Sequence, residues 1–266
     1  MKFVRFRAGG TARYGILEDR RVTEIRGSIY GRYRRTRRST ALARVRLLPP
    51  CEPTKIVAVG LSYRDHAAEF GHPVPEEPIL FLKPLTALIG PGDKIVYPAI
   101  SQRVDYEAEL AIVMKRKGRN IPRGQALRYV LGYTCHNDVT ARDLQKKDGQ
   151  WTRAKSFDTF APLGPCIATG LDPHRLHIEA RVNGEIRQSF NSDQLIFDVP
   201  TLVAFVSQVM TLSPGDVIAT GTPPGVGPLK RGDVVEVEIE GIGVLRNPVG
   251  QGAGAGGGMA RRRRAS

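Results

Sequence analysis

Turns built from glycine, proline and aspartate recur along this chain and leave apolar runs of strand length between them. Pro91-Gly92-Asp93, Asn183-Gly184, Ser213-Pro214-Gly215-Asp216 and Arg231-Gly232-Asp233 are the clearest of them. The runs they separate read as strands: Ile56–Val59, Ile79–Leu82, Lys94–Tyr97, Glu107–Met114, Val130–His136, Cys166–Thr169, Ile178–Val182, Val217–Thr220 and Val234–Ile239. In the last of these, Val235, Val237 and Ile239 alternate with Glu236, Glu238 and Glu240, which gives one core face and one solvated face. Helical patterning is confined to Arg64–Phe70, Ala141–Lys147 and Val199–Val209, the last with Leu202, Phe205, Val206 and Val209 at helical spacing. Irregular strand separations rule out a doubly wound sheet, so the fold class is α+β, β-dominated and mixed.

With 266 residues, 41% of them hydrophobic, the chain is long enough to bury a substantial core. Residues 1–48 read as a small β-rich unit closed by an arginine-rich stretch. Pro49-Pro50 and Pro53 then open a main domain over 49–249, and 250–266 is a Gly/Arg tail with nothing to bury. The formal charge of +14 is uneven: Arg26–Arg46 carries eight arginines and no acid, Arg261–Arg264 adds four, and Met1–Ile25 nets +3. Leu47–Ala260 holds 22 basic and 23 acidic residues. A duplex-binding body needs a basic face of its own, so nucleic-acid binding by the core is not expected.

No apolar run approaches the roughly 20 residues of a membrane-spanning helix, and a cytoplasmic protein is expected. Cys51, Cys135 and Cys166 lack metal or redox spacing and read as buried thiols.

Chemistry concentrates at Asp105, Glu107 and Glu109, three carboxylates at alternate positions leading into an apolar strand, where alternation puts all three on one face. A hard cation would neutralise such a cluster, and so would a well-hydrated edge; spacing alone leaves both open. Asp138, where the Gly132–His136 strand text runs into a helix, tips the reading toward metal. Two glutamates and an aspartate form an oxygen-only site suited to Mg²⁺ or Mn²⁺.

Glu107-x-Glu109, Asn137-Asp138-Val139-Thr140-Ala141-Arg142-Asp143, Trp151-Thr152-Arg153-Ala154-Lys155-Ser156-Phe157-Asp158 and Gly221-Thr222-Pro223-Pro224-Gly225-Val226-Gly227 resemble, in order, the signatures of the fumarylacetoacetate hydrolase family. The amino-terminal unit resembles the extension of members described as 2-hydroxyhepta-2,4-diene-1,7-dioate isomerases. The resemblance implies a mixed β-sandwich roll, a homodimer, and Glu107, Glu109 and Asp138 as Mg²⁺ ligands. Asp105 matches no ligand position and is left as a supporting residue. His66 and Glu69, three apart on one helical turn, correspond to the water-activating dyad on a lid, although the H-x-x-E pair alone fits a surface ion pair as well. Lys155 corresponds to a cation holding the substrate or its enolate, and Gln145 to a hydrogen-bond donor. Thr222 corresponds to a carboxylate-binding position, with a simple turn as the alternative there. Leu61 and Ser62 depart from the Arg and Asn that members commonly carry.

The resemblance implies a metal-stabilised enolate of a small 2-oxo acid. Hydrolysis of a C–C bond in an acylpyruvate-like acid is the expected outcome. Isomerisation of a hydroxydienedioate and oxaloacetate decarboxylation or tautomerisation are alternatives on the same site. A reading of another class is a non-enzymatic, nucleic-acid-associated protein using the arginine segments.

Overall fold

The run Ala108–Met114 contains seven consecutive buried residues, and a strand that is apolar on both faces must lie between layers. It does. Val130–Asn137 flanks it antiparallel on one side and Val217–Ala219 on the other. The computed structural model describes residues 1–63 and 75–251. Among these, the central strand belongs to a twelve-stranded mixed sheet.

From one end, that sheet runs Tyr33–Ala41, Arg21–Gly27, Thr11–Glu18, Lys2–Ala8, Ala161–Ala168, Val130–Asn137, Ala108–Met114, Val217–Ala219, Ile56–Gly60 and Ile79–Lys83, with two short strands off this path. A five-stranded sheet of Glu185–Asn191, His177–Val182, Val234–Ile239, Gly243–Gly250 and Ile95–Val96 packs against it. Three short strands, Thr140–Ala141, Val104–Tyr106 and Gly227–Leu229, form a third sheet beside the site. Strand dominance and mixed sheets agree with the fold class read from the sequence.

The amino-terminal strands do not form a separate sheet. Lys2 pairs with Ala168 and Phe3 with Ile167, so the first four strands extend the central sheet. Much of the arginine-rich stretch forms the terminal strand Tyr33–Ala41, with Arg34, Arg35, Arg37 and Arg38 exposed. The opposite terminal strand, Ile79–Lys83, exposes Ile79 and Leu82 and turns Lys83 inward to full burial.

Local signals act as their chemistry dictates. Asn183 and Gly184 both take positive φ, 54° and 83°, and close a two-residue hairpin. Helix α1 spans Arg142–Asp148, α2 Thr152–Lys155 and α3 Val199–Val209. Asp198 caps α3 by accepting from the Thr201 amide at 2.8 Å. Val235, Val237 and Ile239 are buried, while Glu238 pairs with Arg181 and Glu236 with Arg246 at the solvated face.

Among the strands that escaped the sequence reading are Glu185–Asn191, whose charged outer face masks its alternation, and Gly243–Gly250, where glycine and Pro248 break the apolar text. The three cysteines are free and buried. No described helix is long and apolar enough to cross a membrane. The expected Arg64–Phe70 helix and the tail beyond Gln251 lie outside the described residues.

Candidate metal centre

The expected strand Glu107–Met114 begins one residue later, and the reason matters for the site. Val104–Tyr106 belongs to the three-stranded sheet and Ala108–Met114 to the central one, so the chain changes sheets at Glu107. Alternation breaks there. Asp105, expected on the same face, stays out of the cluster: Arg103 donates to it at 2.9 and 3.2 Å and Arg142 at 2.9 Å. Glu107, Glu109 and Asp138 do converge, each offering a carboxylate oxygen within 4.8 Å of the others, and all three are buried. Asp138 reaches them because its amide donates to the Glu107 carbonyl at 2.9 Å, just past the end of Val130–Asn137.

Three buried cations hold the acids in place. Lys155 donates to Glu107 at 2.9 Å and to Asp138 at 2.5 Å, Arg142 to Glu107 at 2.5 Å, and Lys83 to Asp138. Burial opposes the Lys155 charge, but Asp138 and Glu107 outweigh it and raise its pKa. For Lys83 burial wins, and the pKa is lowered despite Asp138. Glu109 differs: its Oε2 has no hydrogen-bond partner among the described residues, and burial, with the charges of Asp138 and Glu107 added, pushes its pKa well up.

An orphaned oxygen in a buried, all-carboxylate cluster is what a hard divalent cation satisfies. The donor set therefore fits Mg²⁺ or Mn²⁺. His136, opposite Glu109 in register, is buried and shifted down to about 4 by burial. Its Nδ1 meets the Pro162 carbonyl at 2.9 Å, and it lies outside the acid cluster.

The triad forms the floor of a cavity of about 210 Å³. Gln145, Lys155 and Thr222 line it, and so do Leu61, Phe81, Arg142, Lys146 and Trp151. Lys155 ends the short helix α2. Thr222 follows Gly221, whose φ of 88° and closeness to Ser62 leave no room for a Cβ. Gln188 links its amide to the Thr222 hydroxyl at 2.8 Å and its carbonyl oxygen to the Ala108 amide at 3.0 Å, which ties this loop to the metal strand. His66 and Glu69 lie outside the described residues.

Lys83 and the aromatic wall were missed. A single lysine closing the apolar run Ile79–Leu82 was the available signal for Lys83.

That wall depends on Gly60. A Cβ there would stand 2.3 Å from the Trp151 ring, which packs edge-on against Phe81 at 5.2 Å. Gly60→Ala is expected to displace Trp151 at a cost of about 1–3 kcal/mol. Trp151 is the chain's one tryptophan, so its emission shifts to longer wavelength as denaturant stability falls. An unchanged spectrum and melt would refute this packing.

Mixed β-sheets carrying a buried oxygen-donor triad beneath a small, half-open cavity present a site whose donor set suits a hard divalent cation. Residues 55–250 match the fumarylacetoacetate (FAA) hydrolase C-terminal family model, and residues 1–50 match the Rv2993c-like N-terminal one. The chain belongs to the fumarylacetoacetate hydrolase family and is an enzyme, which sets aside the non-enzymatic reading.

The crystal structure of 5-carboxymethyl-2-hydroxymuconate delta-isomerase from Mycobacterium smegmatis is similar, with a TM-score of 0.89 and 46% identity over 95% of this chain and 100% of that one. Human mitochondrial oxaloacetate tautomerase FAHD2A is 49% identical over 215 residues, 76% of this chain and 68% of the relative. Maleylpyruvate hydrolase from Sphingobium sp. SYK-6, solved with manganese(II) and pyruvate, gives a TM-score of 0.79 at 32% identity over 95% of this chain and 100% of that one.

Proposed function

We propose that this enzyme acts on a small 2-oxo acid through its enolate, with Mg²⁺ or Mn²⁺ held by Glu107, Glu109 and Asp138. The observation that carries the reading is the buried triad whose Glu109 Oε2 lacks a partner. A divalent cation bound there supplies Lewis acidity to the oxygens of a 2-oxo acid. The manganese and pyruvate of the maleylpyruvate hydrolase structure support the same assignment.

The chain's own residues supply the rest. Lys155, fixed between Glu107 and Asp138, keeps a positive charge beside the developing enolate. Arg142 donates to the Gln145 carbonyl oxygen at 2.6 Å, which leaves the Gln145 amide hydrogens to donate to substrate. Because the Thr222 oxygen accepts from Gln188, its hydroxyl proton is free to meet a carboxylate. Phe81 and Trp151 shield the reacting carbon from water. His66, oriented by Glu69, is assigned the mobile proton, and the family's homodimer is carried over as the assembly.

Hydrolysis of an acylpyruvate-like C–C bond and keto–enol conversion of oxaloacetate share an enolate, released in the first when water has added to the acyl carbonyl and the C–C bond breaks, and formed in the second when a proton leaves the carbon next to the 2-oxo group. Hydrolysis therefore needs an activated water. The 49% identical oxaloacetate tautomerase favours the second outcome as an alternative.

The test uses metal-stripped protein, with Mg²⁺ or Mn²⁺ restored. Loss of acetylpyruvate's diketone absorbance reports cleavage, and decay of oxaloacetate's enol absorbance reports tautomerisation. Divalent-dependent turnover of at least one is expected; neither reacting in either metal would end the proposal.

A further inference from the structure

Among the described residues three cations line the cavity, and two of them are already committed. Arg142 donates to Asp105, Glu107 and Gln145, and Lys155 to Glu107 and Asp138, all at the buried floor. Lys146 is different. It follows Gln145 on α1, lines the same cavity, is exposed at its mouth, and has no hydrogen-bond or ion-pair partner among the described residues. The wall between floor and mouth is apolar, formed by Leu61, Phe81 and Trp151.

An acid with one carboxylate would be satisfied at the floor. Among the described lining residues, a second carboxylate pointing outward along the apolar side chains would meet no uncommitted cation but Lys146, and an unpaired carboxylate in so small a cavity is costly. At about 210 Å³, the cavity lies below the usual range of roughly 300–1,000 Å³ for drug-sized ligands, which limits the separation between the two ends.

We infer that Lys146 is a specificity-determining residue that receives the distal carboxylate of a short 2-oxo dicarboxylate. The inference rests on the proposed enolate chemistry and narrows its substrate class. Lys146 acts at the far end of the substrate from the reacting carbon. It therefore changes affinity and leaves the chemical step alone.

Lactate and malate are suitable inert probes, since both carry a 2-hydroxy acid head and only malate has a second carboxylate. Their binding to Mn²⁺-loaded protein is followed by quenching of the Trp151 emission. Lys146→Ala is expected to weaken malate about fivefold and leave lactate unchanged, as for an exposed ion pair worth about 1 kcal/mol. Lys146→Arg restores malate binding, and Lys146→Glu weakens it further. Raising the ionic strength narrows the wild-type preference for malate. With oxaloacetate as substrate, Lys146→Ala raises KM about fivefold at constant kcat.

Malate binding wild type no tighter than lactate, or both probes losing affinity equally in Lys146→Ala, would overturn the role of Lys146 and leave the enolate reading intact. Neither probe binding the Mn²⁺-loaded wild type would instead remove the metal site on which both readings stand.

Discussion

Asp138→Ala is expected to abolish divalent-cation binding, to destabilise the metal-free protein by about 3–5 kcal/mol, and to lower turnover by about a thousandfold or more. Two buried cations explain the stability loss. Lys83 is buried and, without Asp138, keeps only the Val139 carbonyl at 3.3 Å among the described residues; Lys155 keeps Glu107. Stranding a buried ammonium costs more than the pair contributed, because water is no longer there to solvate it. Asp138→Asn retains shape and one acceptor, so it is expected to fold better than the alanine variant and still bind metal poorly. Urea melts, Mn²⁺ calorimetry and turnover together check the prediction. An unaltered melt with wild-type Mn²⁺ affinity would show that Asp138 holds neither the lysines nor a cation.

The second large effect has the opposite sign for stability. Glu109→Gln is expected to stabilise the metal-free protein by about 1–3 kcal/mol while abolishing metal-dependent activity. Burial first, then Asp138 and Glu107, raise the Glu109 pKa above its unfolded value. Its ionised form therefore weakens the fold above the folded-state pKa. That penalty is relieved as pH falls from the folded-state value toward the unfolded one. Glutamine imitates the protonated form and removes this contribution to the pH dependence of stability. A bound divalent cation reverses the preference by favouring the carboxylate, so metal affinity drops as protons compete at lower pH. Melts of both proteins from neutral to mildly acid pH, with and without Mn²⁺, separate these effects. Glu109→Gln melting below wild type in the absence of metal would contradict the account.

The contrast between these carboxylates also shows what the sequence could reveal. Glu107, Glu109 and Asp138 were legible because the first two sit two apart at a strand entry and the third follows a strand whose end is visible in the text. Gln145, Lys155 and Thr222 were placed through family resemblance, and the fold brings all three to the cavity. Asp105 went astray because alternation holds only within one strand, and the chain changes sheets between Tyr106 and Ala108. Lys83 was not legible as a partner of Asp138, which lies 55 residues away; only the assembled sheet brings its ammonium to that carboxylate. The amino-terminal layer was readable as strands, but its pairing through Lys2 and Phe3 to Ala168 and Ile167 spans over 160 positions and leaves no local trace.

The two terminal strands of the long sheet give the molecule unlike ends. A sheet with bare, matching rims invites copies to add strand upon strand into a fibre. Here one rim is studded with guanidinium groups that repel an identical rim, and the other is greasy and gains nothing from being pressed against them. Pairing of two arginine rims and head-to-tail stacking are thereby both disfavoured, and so long a β-layer remains compatible with a discrete particle.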